Sequence, residues 1–486
     1  MKKVINLLVL FLAITFFLLW ILFNEFGLLV ISIFSLNISS ILMAINKFNE
    51  RVYVLFFNIT IFLFLLSRPV IDLIYKQSMY NYNEENGSFA LIAIGLSIIF
   101  ISIGNIIFQK LSLKNNTKHN GEKPKNIIYI RQVAWYLYCF TLIFNILMGI
   151  EKIFFIHGSS YLEYYINFES NLPTFVKGIA TMMNTALVIY LATMPNKKES
   201  YKALILYILT AIPNLVVGSR GAISENLIFT FIYLVIRDKI DKDSSIEEVP
   251  EKNRWVTKRI KKSVIVMVPI IIVSFSIYNY TRFGTEKVNE FNPFVDFAYN
   301  QGVTFTVVTR AYDVRKQIPN VESKNYTFGP FIDYFTRGTP AQILFGVKGL
   351  GASNSIVRAT EGNNFNAALS YYLYGNMYLK GYGTGSSYII ELFVDYGILG
   401  IILFSFFLGG LFALINKMLN KNIMLTIIFL RILMDVFIIP RGSAMSWLTF
   451  FIAPQFWLPI IICFTFANLI SMKRRFYVIG ESCSEK

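Results

Sequence analysis

The sequence has little of what a soluble enzyme needs. Only 15% of its 486 residues are charged, whereas soluble domains carry about 25% charged residues. Its three cysteines and two histidines do not have the spacing of a disulfide framework or a zinc site. Acidic residues are also scarce, because 29 Asp and Glu stand against 45 Lys and Arg, which leaves a net charge of +16. This composition argues strongly against a soluble multidomain enzyme.

Apolar residues make up 55% of the chain, and the mean hydropathy is +0.54. They form runs of roughly 16–24 residues, the length that crosses about 30 Å of hydrocarbon at about 1.5 Å per helical residue. The runs predict an all-α polytopic membrane protein with about twelve transmembrane helices. The predicted spans are 4–23, 26–45, 52–74, 88–108, 132–150, 174–194, 203–219, 221–236, 263–281, 392–415, 422–440 and 448–470.

The position of the basic residues decides between nucleic-acid binding and membrane orientation. Lys and Arg concentrate in every second connection, above all in 109–131, 195–202 and 237–262, as the positive-inside rule requires of cytoplasmic loops. The chain contains no nucleic-acid module. Met1-Lys2-Lys3 precedes a run of about twenty residues without a small-x-small cleavage site, so we read this run as the first membrane helix. Both termini are predicted to be cytoplasmic.

The predicted topology divides the chain into four parts. Residues 1–281 carry helices 1–9 and the basic cytoplasmic loop 237–262, residues 282–387 form a large outer loop with short helices, residues 388–472 carry helices 10–12, and 473–486 is a cytoplasmic tail. A loop of this length is usually either functional or disordered. Its apolar residues predict that the loop is ordered and contacts the membrane. These residues are Phe331, Tyr334, Phe335, Ile343, Leu344 and Phe345.

Charged residues inside apolar runs are functional candidates, because charge is costly in lipid. Arg68 and Asp72 are four residues apart, and Arg431 and Asp435 repeat that spacing. Either pair can neutralise itself on one helix face. We favour structural pairing over catalysis for both. Asp241-Lys-Asp243 resembles a metal-nucleotide motif, but its flanks favour a solvated linker.

Two arginines lie at turns that the topology places on the outer face. Gly218-Ser219-Arg220-Gly221 separates two apolar runs, and Pro440-Arg441-Gly442 ends another. The planar fork of arginine binds phosphate oxygens bidentately. A pair of such residues at the headgroup level favours binding of a lipid-linked diphosphate over the alternative, in which each side chain only snorkels to lipid phosphates.

The outer loop ends in the glycine-rich segment 381–385, followed by Ser386, Ser387 and Glu391. Backbone and hydroxyl donors at a helix start suit anions or sugar hydroxyls. Glu391 lies one turn into the helix. It is either a general base or an ordinary acidic residue favoured by the helix dipole, and the sequence leaves both open.

Arginines and tyrosines alternate through the outer loop. Arginine grips phosphates and aromatic faces stack on sugars, which fits a lipid-linked glycan, although an interfacial aromatic belt would look similar. The residues are Arg282, Arg310, Arg315, Arg337 and Arg358, with Tyr371, Tyr372, Tyr374, Tyr378 and Tyr382.

These motifs together resemble the Wzy-type oligosaccharide repeat-unit polymerases of O-antigen and capsule assembly. The resemblance covers roughly 203–470 and rests on the order and common placement of the motifs. They are Gly218-Ser-Arg220-Gly, the long outer loop, Gly383-Thr-Gly385-Ser-Ser387 with Glu391, Gly397-Ile-Leu-Gly400 and Pro440-Arg441-Gly442.

The resemblance implies a fold similar to the GT-C membrane transferases and a glycosyltransferase that moves the growing glycan from polyprenyl diphosphate to the next lipid-linked unit. It implies no cofactor and no metal. The partners implied are the polyprenyl-diphosphate-linked oligosaccharide, the lipid bilayer, a chain-length regulator and the repeat-unit flippase. The location implied is the bacterial cytoplasmic (inner) membrane, with the active site facing outward.

The same resemblance suggests roles for individual residues. Catalysis would fall to Arg220 and Arg441, which bind diphosphate, and to Glu391, which activates the acceptor hydroxyl. Substrate-binding residues would be Arg282, Arg310, Arg337, Arg358, Tyr378, Ser386 and Ser387.

Two other functions remain open. An O-antigen ligase performs similar chemistry, but ligases are usually associated with an outer-loop histidine, and none occurs between Arg282 and Glu391. A lipid-oligosaccharide flippase should line a central cavity with polar residues and needs no large outer loop.

Overall fold

The structure is a computed structural model. It describes residues 2–75, 82–114, 126–157, 163–164, 168–244, 254–258, 262, 292–351 and 353–484. Throughout these residues the regular structure is helical and no strand is present. A helix satisfies its backbone hydrogen bonds within one segment, which is what hydrocarbon requires. The prediction of an all-α polytopic membrane protein is confirmed.

The α-helices of the described residues are numbered here in chain order. They are α1 Lys2–Phe23, α2 Phe26–Asn46, α3 Phe48–Ile61, α4 Ser67–Ile74, α5 Glu84–Lys114, α6 Ile127–Ile156, α7 Thr174–Thr181, α8 Met183–Ala192, α9 Lys197–Leu209, α10 Ile212–Val216, α11 Gly221–Ser244, α12 Pro293–Gln301, α13 Val303–Val314, α14 Gly329–Arg337, α15 Thr339–Phe345, α16 Ile356–Thr360, α17 Phe365–Tyr374, α18 Asn376–Leu379, α19 Tyr388–Met418, α20 Ile423–Asp435 and α21 Pro454–Ser484. A π-helix, Phe62–Leu66, joins α3 to α4, and 3₁₀ helices cover Val321–Ser323, Val436–Arg441 and Ser446–Ile452.

Nine candidate membrane spans occur within the described residues. They are Lys3–Phe23, Phe26–Asn46, Phe48–Ile74, Glu84–Leu111, Ile127–Ile156, Thr174–Ala192, Tyr388–Met418, Ile423–Arg441 and Pro454–Lys473. The predicted run 203–219 is divided between α9 and α10, and 221–236 lies within α11, which is not among the nine. The run 263–281 lies outside the described residues. The count of twelve therefore stays a prediction.

The chain forms two compact units. One comprises Met1–Asn116, Val235–Lys417 and Val436–Trp447, and the other comprises Thr117–Leu234, Met418–Asp435 and Leu448–Lys486. The first unit contains the outer loop, α19 and the turn that carries Arg441. The second contains α6 to α10 and the turn that carries Arg220.

Glycine permits a close crossing of α5 and α19 in the first unit. A Cβ atom at Gly104 would lie 2.0 Å from the carbonyl oxygen of Phe406, and a Cβ at Gly409 would lie 2.0 Å from that of Ile101. Asn105 Nδ2 donates to the Gly409 carbonyl at 3.2 Å. Small residues let membrane helices approach closely, since packing and hydrogen bonds drive their association. This crossing fixes α19, the helix that carries Glu391.

The helix α19 is interrupted at Gly397, where φ is +63° and ψ is −158°. Residues other than glycine rarely adopt this backbone conformation. The break separates the first turns of α19 from its longer apolar part. The Gly397-Ile-Leu-Gly400 motif thus has a structural reason, which is to redirect the helix.

Within the second unit, α6 packs against α7, α8 and α21. Tyr138 donates its hydroxyl to the Ala203 carbonyl at 3.1 Å, and Tyr233 donates to the Leu191 carbonyl at 3.1 Å. Arg431 and Asp435 form an ion pair of 2.5 Å on α20. The predicted structural pairing of these two residues is confirmed.

The short helices predicted for the outer loop are present as α12 to α18. Asp333 on α14 accepts hydrogen bonds from the backbone and side-chain nitrogens of Asn363, at 3.0 and 2.8 Å. At the end of α15, Ile343, Leu344 and Phe345 are each more than 70% exposed. Such an apolar tip fits the predicted contact with the membrane, which stays a prediction.

Described residues of the predicted loop 237–262 make buried contacts. Trp255 is buried, and its indole nitrogen donates to Asp241 at 2.5 Å. The Arg237 guanidinium carbon lies 4.2 Å from the centroid of the Trp255 ring. Asp241 therefore has a structural partner, and this contact argues against the metal-nucleotide interpretation of Asp241-Lys-Asp243.

Contacts between distant segments agree with the predicted sidedness in each unit. In the first unit, Asn416 donates to the Glu50 carbonyl at 3.0 Å and Lys239 donates to Asn416 at 2.8 Å, which joins segments all predicted to be cytoplasmic. In the second unit, Lys152 donates to Asn214 at 2.9 Å, which joins a segment predicted to be outer to the outer half of the predicted run 203–219. Which side faces the cytoplasm stays a prediction.

The crossing of α5 and α19 can be tested by substitution. We expect Gly104→Leu to lower the melting temperature of the detergent-purified protein by several degrees, because the side chain would force apart two backbones in contact, at a cost of about 1–3 kcal/mol or more. Gly178→Leu is the matched control, because a Cβ at Gly178 has nothing within 4 Å. Equal melting temperatures for the two variants would contradict the close crossing.

Candidate active site

Glu391 is the buried centre of the candidate site. Its side chain is on the first turn of α19, and the residue is only 1% exposed. Oε1 accepts a hydrogen bond from the Ser386 hydroxyl at 2.6 Å, and Oε2 accepts one from the Ala444 backbone nitrogen at 2.8 Å. The carboxyl group thus connects the end of the outer loop to the turn after Arg441. Both oxygens already have donors, and neither has solvent access.

The glycine-rich segment before α19 is held by side chains of α17. Asn366 Oδ1 accepts from the Gly385 nitrogen at 2.8 Å, and the Ser370 hydroxyl accepts from the Thr384 nitrogen at 2.9 Å. Gly385 has a φ of +83°, which favours glycine. Two of the backbone donors that the sequence suggested for ligand binding are therefore used internally.

Ser386, Ser387 and Tyr378 are buried rather than displayed to a ligand. Ser386 donates to Glu391, and the Ser387 carbonyl accepts from the nitrogens of Ile390 and Glu391 at the start of α19. Tyr378 donates to the Ser353 carbonyl at 3.1 Å. The structure gives each of these predicted substrate-binding residues an internal contact.

Arg441 is exposed and lies at the end of a candidate span. Its Nη1 donates to Gln301 Oε1 at 2.6 Å, and its guanidinium carbon lies 5.8 Å from the ring centroid of Phe64. Gln301 ends α12 in the outer loop. A guanidinium has five N–H donors, so the side chain retains donors for a ligand after this one bond.

Arg220 lies in the second unit, just before α11. It is partly exposed, and its carbonyl accepts from the Ser224 nitrogen at 3.3 Å in the first turn of the helix. The predicted turn between two apolar segments is present, because the preceding Gly218 has a φ of +97°.

Three outer-loop arginines have partners within the loop, one is exposed, and one lies outside the described residues. Arg337 forms an ion pair of 2.9 Å with Glu361, and Arg358 donates to the Gly351 carbonyl at 2.9 Å. Arg315 donates to the Tyr312 carbonyl, and its guanidinium carbon lies 3.8 Å from the centroid of the Tyr312 ring. Arg310 is exposed, and Arg282 lies outside the described residues. The exposed tyrosines of the predicted aromatic set are Tyr372, Tyr374 and Tyr382.

The spacing of Arg68 and Asp72 predicts an ion pair, but no such pair is formed among the described residues. Arg68 Nη1 instead donates to Thr306 Oγ1 at 2.8 Å, and Tyr82 donates to Asp72 at 3.3 Å. Arg68 also stacks on Tyr299, at 4.4 Å from its centroid. Burial raises the pKa of both Tyr82 and Tyr299, so both hydroxyls remain protonated.

Among the described residues, no cluster of three His, Cys, Asp or Glu side chains is arranged to hold a metal ion. The chemistry available at this site is that of arginine forks, hydroxyls, amides and one buried carboxyl group. This donor set suits an anionic ligand.

The fold defines a multi-pass membrane protein, and one of its candidate spans ends at the exposed Arg441. The model of the family described as O-antigen polysaccharide polymerase Wzy matches residues 5–474, nearly the whole chain. The chain therefore belongs to the family of O-antigen polysaccharide polymerases. No curated protein and no solved structure matches it.

The role of Glu391 can be tested with two variants. Glu391→Gln keeps the shape, and both hydrogen bonds survive if the Ser386 hydroxyl reverses and accepts, so a positioning role predicts near-normal polymer formation. General-base catalysis contributes about 10²–10⁴-fold, and a loss of that size in the purified turnover rate would establish the catalytic role instead.

Glu391→Leu provides the comparison that removes both hydrogen bonds. It leaves the Ser386 hydroxyl and the Ala444 nitrogen buried without a partner, at about 1–3 kcal/mol each. We expect this variant to lose both melting temperature and polymer.

Proposed function

We propose that this protein polymerises lipid-linked oligosaccharide repeat units on the outer face of the bacterial cytoplasmic membrane. The growing glycan is transferred from polyprenyl diphosphate to a hydroxyl of the next lipid-linked unit. The observation that carries the proposal is the exposed Arg441 guanidinium, which the outer loop holds through Gln301 at the end of a span. Membership of the polymerase family supports the same function.

The transfer breaks the bond between the anomeric carbon and a diphosphate oxygen, and the electron pair leaves with the diphosphate. The acceptor hydroxyl oxygen forms the new glycosidic bond and releases its proton. Negative charge therefore develops on the leaving diphosphate. A fixed guanidinium at that position stabilises the transition state more than the ground state, which is the condition for rate acceleration. Arg441 has this role in our proposal.

Glu391 positions Arg441 rather than reacting itself. Its Oε2 accepts from Ala444, three residues after Arg441, and its Oε1 accepts from Ser386. The buried carboxyl group thus fixes both the arginine turn and the end of the outer loop. The two hydrogen bonds and the burial of the side chain support this role.

The exposed groups of the outer loop bind the glycan in this proposal. Arg310, Tyr372 and Tyr382 are exposed, and aromatic faces of this kind stack on sugar rings. Arg337 and Arg358 have contacts within the loop and shape it. Arg220, in the second unit, stays a sequence-based candidate for diphosphate binding, and Arg282 stays a candidate because of its sequence position.

Deletion and complementation test the function. A deletion strain carrying Arg441→Ala should lose the polymer ladder while single repeat units still reach the outer acceptor. With purified protein, the turnover rate should fall about 10²–10³-fold, the cost of removing one charge-stabilising donor. Lys316→Ala is the control, because it removes an exposed outer-loop cation outside the site.

The alternatives give different glycan profiles. Lipid-linked units trapped on the cytoplasmic face would show a flippase, and long chains accumulating on polyprenyl diphosphate would show a ligase. Arg220→Ala in the same strain tests the sequence-based assignment of Arg220, and full-length polymer at normal expression would contradict it.

A further inference from the structure

Arg68 follows an unusual turn of the third span. Residues Phe62–Leu66 form a π-helix, a rare geometry that occurs frequently at functional sites. Ser67, next to Arg68, donates its hydroxyl to the Leu63 carbonyl at 2.8 Å and to the Ala298 carbonyl at 2.7 Å. The π-turn is thereby attached to α12 of the outer loop.

The outer loop approaches Arg68 very closely at Gly302. A Cβ atom at that glycine would lie 2.7 Å from the Arg68 backbone nitrogen and 2.8 Å from its Cβ. Only a glycine lets the α12–α13 turn pack onto the span at this distance. The approach places Thr306 against the Arg68 guanidinium and Tyr299 beneath it.

The same short segment holds Arg441. Gln301, which bonds to Arg441, lies between Tyr299 and Thr306, which contact Arg68. Two arginines from separate spans therefore converge on residues 299–306. The sequence could not show this convergence, since the two arginines are far apart along the chain.

A purely structural role would have Arg68 neutralise Asp72. Among the described residues, however, neither Arg68 nor Arg441 forms an ion pair. The Arg68 Nε atom is buried without a hydrogen-bond partner in that part of the chain. Arg431 and Asp435, with the same spacing, pair directly at 2.5 Å. Arg68 interacts with Asp72 electrostatically but is not held in a direct ion pair, so its fork keeps donor capacity for another anion.

We propose that Arg68 is a further diphosphate-binding residue, which acts with Arg441 on the polyprenyl diphosphate of the lipid-linked unit. This inference rests on the proposed function. Each guanidinium fork matches two phosphate oxygens, and two forks match the adjoining phosphates of a diphosphate. Within the described part of the chain, neither arginine forms an ion pair with Asp72 or Glu391, which are buried carboxyl groups of this region.

A double substitution separates the two roles of Arg68. Arg68→Gln/Asp72→Asn removes the arginine together with the carboxyl group that it would neutralise. If Arg68 only neutralises Asp72, this variant regains normal behaviour. If Arg68 binds diphosphate, the defect persists. The matched control is Arg431→Gln/Asp435→Asn, which removes a pair with the same spacing.

Binding is measured with purified full-length protein in nanodiscs, with farnesyl diphosphate, farnesyl monophosphate and inorganic diphosphate as separate probes. We expect the Kd of farnesyl diphosphate to rise tenfold or more in Arg68→Gln and in its double variant, and to change less than twofold in the control. The preference over farnesyl monophosphate should shrink in parallel. A comparable loss for inorganic diphosphate would assign the site to the diphosphate group itself, and a loss confined to the farnesyl probe would assign it to the lipid-linked form.

Normal farnesyl diphosphate affinity in the double variant overturns the proposal, and so does an equal loss in the control. Arg68→Lys retains the charge that faces Asp72 but lacks the fork, so a severalfold weaker affinity in this variant supports the proposal even if the double variant does not fold. Melting temperature and size-exclusion profile check folding.

Complementation of the deletion strain distinguishes this inference from the proposed function. If the deletion leaves the polymer ladder intact while farnesyl diphosphate binding still depends on Arg68, the proposed function fails and the binding site stands. If the ladder depends on the protein but the Arg68 double variant restores it fully, the proposed function stands and the Arg68 assignment fails.

Discussion

The buried carboxyl group of Glu391 is the constraint on which the candidate site depends. A carboxyl group without solvent contact is tolerated only when it is hydrogen-bonded, and Glu391 has two donors from segments far apart in the chain, Ser386 and Ala444. Because these bonds cannot be exchanged for water, the end of the outer loop and the turn after Arg441 must lie together. The crossing at Gly104 and Gly409 holds the rest of α19 in register.

The sequence predicts what depends on local spacing. Apolar runs predict membrane helices because hydrocarbon admits few other structures, and the i,i+4 spacing correctly predicts the ion pair of Arg431 and Asp435. The same spacing is wrong for Arg68 and Asp72, because the neighbouring outer loop supplies Thr306 and Tyr82 lies close to Asp72. Neither the π-turn nor contacts that span more than 200 residues leave a local pattern in the sequence.

Donor groups near the site divide into satisfied and available ones. Ser386, Ser387 and Tyr378 have sequence features that suit sugar binding, yet each is buried and hydrogen-bonded internally. Arg441 has one neutral partner and an exposed guanidinium. Sequence reasoning identifies residue types that can bind a ligand, but only burial and existing hydrogen bonds show which of them still have donors to offer.

A neutral partner for Arg441 has a chemical consequence. An arginine paired with a carboxylate must give up that pair to bind phosphate, and the exchange cancels much of the gain. Gln301 and Thr306 orient Arg441 and Arg68 through amide and hydroxyl oxygens, so each guanidinium is held in place without a direct ion pair to another described residue. In the proposed function, preorganised charge of this kind stabilises the leaving diphosphate, and it does so more effectively where the local dielectric constant is lower than in bulk water.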